Sequence, residues 1–370
     1  MSNKNIITTI RNILRYILKY DPIFLIAISS LIAAALLTSS LIVPLFFQQR
    51  RQVQLDSGHR LAMGTFAHIV AVAENSSTAE RAIEAAFEQI SNIEDLMSYY
   101  KDDSQINKIN RDGHKGPVKV SKSTFEVLQK SVEFSRLTGG AFDITVGPLE
   151  ELWRSAGEAN SVPTDAELQQ VRSKVGYEKL ILDGNEMTVR FAVEGMKIDL
   201  GGIAKGYAID KVIEAMQKCG ATGGMTDVGG DIRCFGTPPK GKEYWLIGLQ
   251  EPSERLETPI GTGELTLVLK LKDAAVATSG DYRRFVLVGG KRYSHIIDRR
   301  TAAGAKGLSS VTIISKNATD ADALATAVSV MGAEKSVELI ERLPETEAIL
   351  ITTQPEYKII KTSGAEKYIE

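Results

Sequence analysis

Cysteine and histidine are scarce in this 370-residue chain: two of the first, Cys219 and Cys234, and four of the second. The two cysteines show no metal-ligand spacing, and two thiols make no disulfide framework. One disulfide between them and two free thiols both fit the sequence. Charge of one sign is missing as well. Lys and Arg number 44 against 46 Asp and Glu, a formal net charge of −2 spread along the chain. Nothing there gives an electrostatic footprint for nucleic acid. Repeats, low-complexity tracts and long linker-like stretches are absent too, which favours one globular unit.

Charge disappears altogether from Pro22 to Phe47, a run of 26 residues. As a helix it is about 39 Å long at ~1.5 Å per residue, enough to cross a hydrocarbon core of about 30 Å with some tilt. The run exceeds the apolar core of a cleaved signal peptide, and no clear small-x-small cleavage site follows Phe47, so it reads as a retained anchor. No cysteine lies near it, which excludes a lipoprotein anchor at this end. Lys4, Arg11, Arg15 and Lys19 precede it and Arg50, Arg51 and Arg60 follow, so the positive-inside bias is slight. Ile6, Ile10, Ile13 and Ile17 recur at helical spacing, as in an interfacial amphipathic helix or a plain extension of the membrane helix.

Beyond the run the pattern mixes helices and strands without strict alternation, so the expected class is α+β. Gln48 to Arg60 is polar and reads as a linker; Phe66 to Val72 reads as a strand. Capping boxes at Ser77 to Glu80 and Ser123 to Glu126 open two helices. Trp153 to Val175 reads as surface loop with a short helix, Ile203 to Lys218 as a helix, and Val311 to Ile314 as a buried strand. Ser279-Gly280 reads as a turn.

The most informative stretch runs Lys197-Ile198-Asp199-Leu200-Gly201-Gly202-Ile203-Ala204-Lys205-Gly206-Tyr207. A strand enters a Gly-Gly turn and then a helix whose first turn carries a lysine. Glycine admits close backbone approach to a ligand, and a helix start offers amides and partial positive charge to a phosphate. Much later, Asp322-Ala323-Leu324-Ala325-Thr326 sets a carboxylate and a hydroxyl on one helical face, oxygen ligands suited to Mg²⁺. Asp320, two residues earlier, is a candidate N-cap that would leave Asp322 free.

Other segments join these in order: Met63-Gly64-Thr65, Ser98 to Ser104, Thr138-Gly139-Gly140-Ala141-Phe142-Asp143, Asp227-Val228-Gly229-Gly230-Asp231-Ile232, Ala277 to Tyr282, and Ser294-His295-Ile296-Ile297-Asp298. With them the chain resembles the FAD:protein FMN transferases, the ApbE family, over about residues 60 to 335. The resemblance implies a single mixed α/β domain of the ApbE, T-fold-like, type. The expected division is a cytoplasmic segment at 1–21, a transmembrane helix at 22–47, a linker at 48–60 and an FMN transferase domain at 61–370. It also implies FAD as substrate, met by Met63, Tyr100, Ala141, Phe142, Asp143, Asp199 and Lys205. Mg²⁺ would be held by Asp322, Thr326 and the Gly202 carbonyl, and His295 would serve as base or positioner for the acceptor hydroxyl.

The implied reaction is Mg-dependent transfer of FMN from FAD to a Ser or Thr of an acceptor protein, leaving a phosphoester and AMP. Family acceptors carry a Ser/Thr-Gly-Ala-Ser/Thr motif and belong to membrane redox complexes, so the implied location is a bacterial inner membrane with the domain on its outer side. This chain's own Ser363-Gly364-Ala365-Glu366 lacks the final hydroxyl. Two rivals use the same residues: a metal-dependent FAD pyrophosphatase and a non-catalytic, membrane-anchored FAD binder. One departure bears on the site. Where the family runs Asp-Pro-Arg-Thr-Gly, this chain has Asp298-Arg299-Arg300-Thr301-Ala302-Ala303-Gly304, with proline lost and glycine displaced by two.

Overall fold

A computed structural model of the protein describes residues 3–20, 52–239, 241–250, 265–280, 285–353 and 357–370. The chain forms two compact units, residues 1–51 and 52–370. In the first, helix α1 (Asn3–Tyr20) leaves Ile10, Ile13, Leu14 and Tyr16 exposed. The expected span at 22–47 lies outside the described residues. Among the described residues no helix is long and apolar enough to cross a membrane.

The second unit is built on an eight-stranded sheet whose spatial order follows the chain. Its strands are β1 (Val53–Ala62), β2 (Thr65–Ala73), β3 (Gly223–Val228), β4 (Asp231–Phe235), β5 (Ala274–Gly280), β6 (Leu308–Ser315), β7 (Glu347–Thr352) and β8 (Ile359–Lys361). Every neighbouring pair is antiparallel. Helices enter as insertions: α2 (Ser76–Met97), α3 (Lys122–Leu137), α4 (Gly147–Ala159), α5 (Ala204–Lys218) and α6 (Ala318–Met331). This is an α+β arrangement, as the mixed pattern predicts.

Strand β2 shows why the sheet has two covered faces. Ala67, Ile69 and Ala71 pack with Ile83 and Ile90 of α2 and Ile209 and Ile213 of α5. Val70 and Val72 point the other way, into a cluster with Trp245, Ile247, Leu269 and Leu271 of the hairpin Trp245–Gln250 with Leu265–Leu271. Alternate residues therefore serve opposite cores, and each fully buried Ile is worth roughly 1.5–3 kcal/mol.

Several local expectations shift. Residues 53–60 of the expected linker belong to β1, held by its pairing to β2 rather than by apolar content. Asn75 caps α2 by accepting from the Thr78 amide, so that helix starts before Ser77; Ser121, not Ser123, caps α3 in the same way. Trp153 is buried in α4 instead of lying in surface loop. Ser279-Gly280 ends strand β5 rather than forming a turn. Cys219 and Cys234 are free thiols.

Helices α5 and α6 cross at small residues. A Cβ on Gly206 would lie 2.2 Å from the Ala318 carbonyl oxygen and 2.9 Å from Asp322 Cβ. Asp210 of α5 secures the crossing from its other end. Its carboxylate accepts from the amides of Ala318 and Thr319 at 2.8 and 2.9 Å, the orphan donors that open α6, and pairs with Arg233 at 2.6 Å. Gly206→Ala gains about 1 kcal/mol of helix propensity but must push backbone aside, at about 1–3 kcal/mol. The expected outcome is a net loss, read as a lowered urea midpoint with an unchanged slope. A midpoint at or above that of the wild type would show that the helices can separate freely.

Candidate functional site

Two hairpin turns and one helix start meet at one end of the sheet. Met63-Gly64, between β1 and β2, takes φ of +50° and +69°; Gly229-Gly230, between β3 and β4, takes +67° and +94°. Positive φ at both central residues matches the twist of a tight hairpin, and glycine adopts it without strain. A Cβ on Gly229 would lie 2.9 Å from Thr65, so the two turns are in contact. Lys205, in the first turn of α5, pairs with Asp231 at the start of β4, and its Nζ lies 3.7 Å from Asp322 Oδ1. Asp231 Oδ1 also accepts from the Thr278 amide at 3.2 Å.

The helix start is less open than its sequence suggests. The Ala204 amide donates to the Leu200 carbonyl at 2.8 Å, and the Gly206 amide donates to Asp322 Oδ2 at 2.9 Å. A phosphate at this point is therefore met chiefly by the Lys205 ammonium, not by a row of amides. Asn317 caps α6 by accepting from the Asp320 amide, so Asp320 is not the N-cap. Asp322 is left to face α5.

The residues expected to hold Mg²⁺ converge. Asp322 and Thr326 lie one turn apart on α6, and a Cβ on Gly202 would come within 2.8 Å of Thr326 Oγ1. Only glycine leaves that space. Asp322 is buried; one of its oxygens takes the Gly206 amide, and the other sits beyond hydrogen-bond reach of Lys205. Carboxylate, hydroxyl and nearby backbone form a hard oxygen set of the kind Mg²⁺ takes. Among the described residues no three His, Cys, Asp or Glu side chains cluster as a cage. The residues fit the ion.

The expected flavin contacts divide. Tyr100 is 83 % exposed and presents a free ring face. Glu94 accepts from the Met63 amide at 3.0 Å and sits 3.6 Å from Lys101 Nζ. Ala141 and Phe142 are buried, with Phe142 packed edge-on against Phe134 at 6.2 Å. Asp143 is buried too, and both its oxygens are occupied. Oδ1 accepts from the Thr145 amide and hydroxyl at 2.9 and 2.6 Å; Oδ2 accepts from the Tyr177 amide at 3.0 Å and lies 3.1 Å from Arg299. Burial lifts its pKa above the ordinary aspartate value in spite of these donors. The side chains at 141–143 are thus turned into the fold, and the amides of Ala141 and Phe142 donate to the Thr138 carbonyl and hydroxyl at 3.2 and 3.0 Å. The loop adjoins Asp199, whose amide donates to the Ile144 carbonyl at 2.8 Å.

Asp199 Oδ1 accepts from the Gly201 amide at 2.6 Å and so shapes the Gly-Gly turn. Next to it stands a group of residues that the sequence reading did not single out. Glu151 of α4 accepts from Tyr99 Oη and Lys197 Nζ, at 2.6 Å each; burial opposes its charge, but these donors hold its pKa below the usual value. Glu150 goes the other way. Burial, then the adjoining Asp199 carboxylate, raise its pKa well above the usual glutamate range, with Arg154 opposing. Two adjacent acids in the doublet Glu150-Glu151 were the available signal.

His295 lies half-buried at the bend between strands Lys291–Ser294 and Ile297–Asp298. Its hairpin docks on α4 through Tyr293, 4.5 Å from the Trp153 ring, and Trp153 Nε1 donates to the Ala302 carbonyl at 2.8 Å. The turn that follows closes on an alanine, with no proline or glycine at 299–302. Ala302 adopts φ +56° and its amide donates to the Asp298 carbonyl at 2.8 Å, so alanine takes the left-handed position itself.

Fold and site together define an α+β protein with a lysine and a carboxylate–hydroxyl pair gathered at a helix start. The ApbE family model matches residues 63–350, and the chain belongs to that family. It is 33 % identical over 298 residues to the FAD:protein FMN transferase of Vibrio cholerae, covering 80 % of this chain and 86 % of that one. The Haemophilus influenzae FAD:protein FMN transferase is 31 % identical over 313 residues, 82 % and 88 % of the two chains. The ApbE protein of Thermotoga maritima superposes with a TM-score of 0.74 at 33 % identity, over 86 % of this chain and 99 % of its own.

The Glu150 environment gives a pH test. A carboxyl whose folded pKa is raised stabilises the fold at low pH and loses that contribution as pH rises from the ordinary glutamate value through the raised one. Glu150→Gln keeps the shape and removes the titration. Its melting temperature is expected to gain on the wild type as pH is taken from 5 to 9. A difference that stays constant across that range would contradict the assignment.

Proposed function

We propose that this protein transfers FMN from FAD to a Ser or Thr hydroxyl of an acceptor protein. The observation that carries this is the gathering of Lys205, Asp322, Thr326 and Gly202 at one helix start, in a chain whose relatives are named for that reaction. Lys205 binds the pyrophosphate oxygens, exchanging part of its contact with Asp231 for them. Tyr100 offers its exposed face to a flat ring, and the loop at 141–143 with Asp199 bounds the flavin side. Mg²⁺, held by Asp322, Thr326 and the Gly202 carbonyl, would supply neutralisation of the pyrophosphate charge. His295 orients the acceptor hydroxyl and receives its proton as the new oxygen–phosphorus bond forms. The bond to AMP breaks, and FMN remains on the acceptor as a phosphoester. Most of the acceleration comes from holding the two reactants in line.

The acceptor proposed is a membrane redox subunit with a Ser/Thr-Gly-Ala-Ser/Thr motif, reached from an anchor at residues 22–47 with the domain on the outer face. Exposed Ile10, Ile13, Leu14 and Tyr16 on α1 support a membrane-facing first segment. Removing residues 1–51 is expected to move the protein from the membrane to the soluble fraction. Retention in the membrane would place the anchor elsewhere.

Intact mass is the direct test of the reaction. Residues 52–370, incubated with FAD, Mg²⁺ and an acceptor domain bearing the motif, should add one FMN to the acceptor. Asp322→Ala or a chelator should cut the rate by about 10²-fold or more. Free FMN and AMP without a labelled acceptor would make it a pyrophosphatase, and intact FAD would leave only a binder.

A further inference from the structure

Arg299 sits at the tip of the turn after His295, and its guanidinium reaches away from that turn. Nη1 lies 3.1 Å from Asp143 Oδ2, while Nη1 and Nη2 fork onto the two Glu178 oxygens at 2.8 Å each. The group also lies over the Tyr177 ring, 4.9 Å from its centroid. Two glycines make room for it. A Cβ on Gly140 would fall 2.4 Å from Nη2, and one on Gly176 would fall 3.2 Å from Nη1. The guanidinium therefore occupies a fitted seat between the flavin loop and the 176–178 segment.

The energetics single this contact out. A planar fork on a carboxylate fixes direction as well as distance, which a point charge does not. Asp143 is buried, so removing its cation leaves a carboxylate held by the Thr145 and Tyr177 donors alone. Glu178 is pulled down to about 2 by Arg299, so this half of the contact keeps its charge until strongly acidic pH. The His295 end is equally tied. Strand Ile297–Asp298 pairs with Ala303–Gly304, the Asp298 carbonyl accepts from Ala302, and the Ile296 carbonyl accepts from Ala305 at 2.7 Å. A shift at Arg299 has little slack to absorb it before His295.

We propose that Arg299 is a positioning residue that locks the His295 hairpin onto the flavin loop at 140–143 and so sets the acceptor hydroxyl against the FAD phosphorus. The proposal rests on the transferase reading of those two segments. In the full chain, Arg299→Met is expected to slow FMN transfer at saturating FAD at least about tenfold, since a displacement of ~1 Å is enough for that. Arg299→Lys keeps the charge without the fork and should not restore the rate. Glu178→Gln, which alters only the outer acceptor, should give a smaller fall and covers the case in which Arg299→Met does not fold. Amide hydrogen exchange supplies the readout that mere loss of stability would not give. It should speed up at 140–145 and 295–304 together, with α5 unchanged.

Wild-type exchange at 140–145 in Arg299→Met, or an unaltered transfer rate, would overturn the lock. If the wild-type chain itself transfers no FMN to the acceptor domain, the transferase reading fails instead. Exchange at 140–145, with FAD affinity from flavin fluorescence, then still decides whether Arg299 holds the two loops together.

Discussion

The Gly206 amide on the Asp322 carboxylate is the contact from which the rest of the site follows. It exists because Gly206 has no side chain, so α5 can lie against Ala318 and Asp322 of α6 at backbone distance. With the helices that close, Lys205 of α5 and Gly202 in the turn before it become neighbours of Asp322 and Thr326 on α6. Asp210 closes the same crossing from the next turn by capping α6. A buried carboxylate is costly unless its lone pairs are taken, and here each acid at the crossing takes amides that open the neighbouring helix. Structural need and ligand geometry are met by the same atoms.

Charge around the site is arranged in tight sets, not as a general field. Lys205 is held by Asp231 beside Asp322; Lys197 and Tyr99 hold Glu151; Arg299 holds Asp143 and Glu178. Glu150 lacks such a partner in sufficient strength, and burial next to Asp199 raises its pKa. The near-neutral net charge of the whole chain hides this entirely. What matters for a dianionic substrate is that one lysine, already a quarter exposed, stands at the point where two acids and a helix start converge.

Strong periodicity was readable from residues alone. Strand β2, helix α5 and strand β6 lie where their patterns put them. Boundaries were less so, because Asn75 and Ser121 compete with later Ser and Thr residues for the capping position. Strand β1 escaped because its ladder is made by pairing, with polar side chains outside. In the site, the structure brings the Gly-Gly turn and the Asp322/Thr326 pair together, but the occupation of the Gly206 amide depends on a partner from α6 that spacing along the chain does not show. Phe142 and Asp143 show the same limit. Their residue types suit flavin contact, yet only tertiary packing reveals that both side chains face inward. Arg299 was visible as a departure, while its partners Asp143 and Glu178 come from distant segments.

The central claim is that Lys205 meets the pyrophosphate of FAD at the start of α5. Comparing FAD with riboflavin on wild-type and Lys205→Met chains isolates it, because the two ligands share the ring and differ in phosphate. The account predicts that Lys205→Met weakens FAD binding by about tenfold or more, the size of a lost charge-assisted contact, and leaves riboflavin binding unchanged. Equal loss for both ligands, or none for FAD, would contradict it.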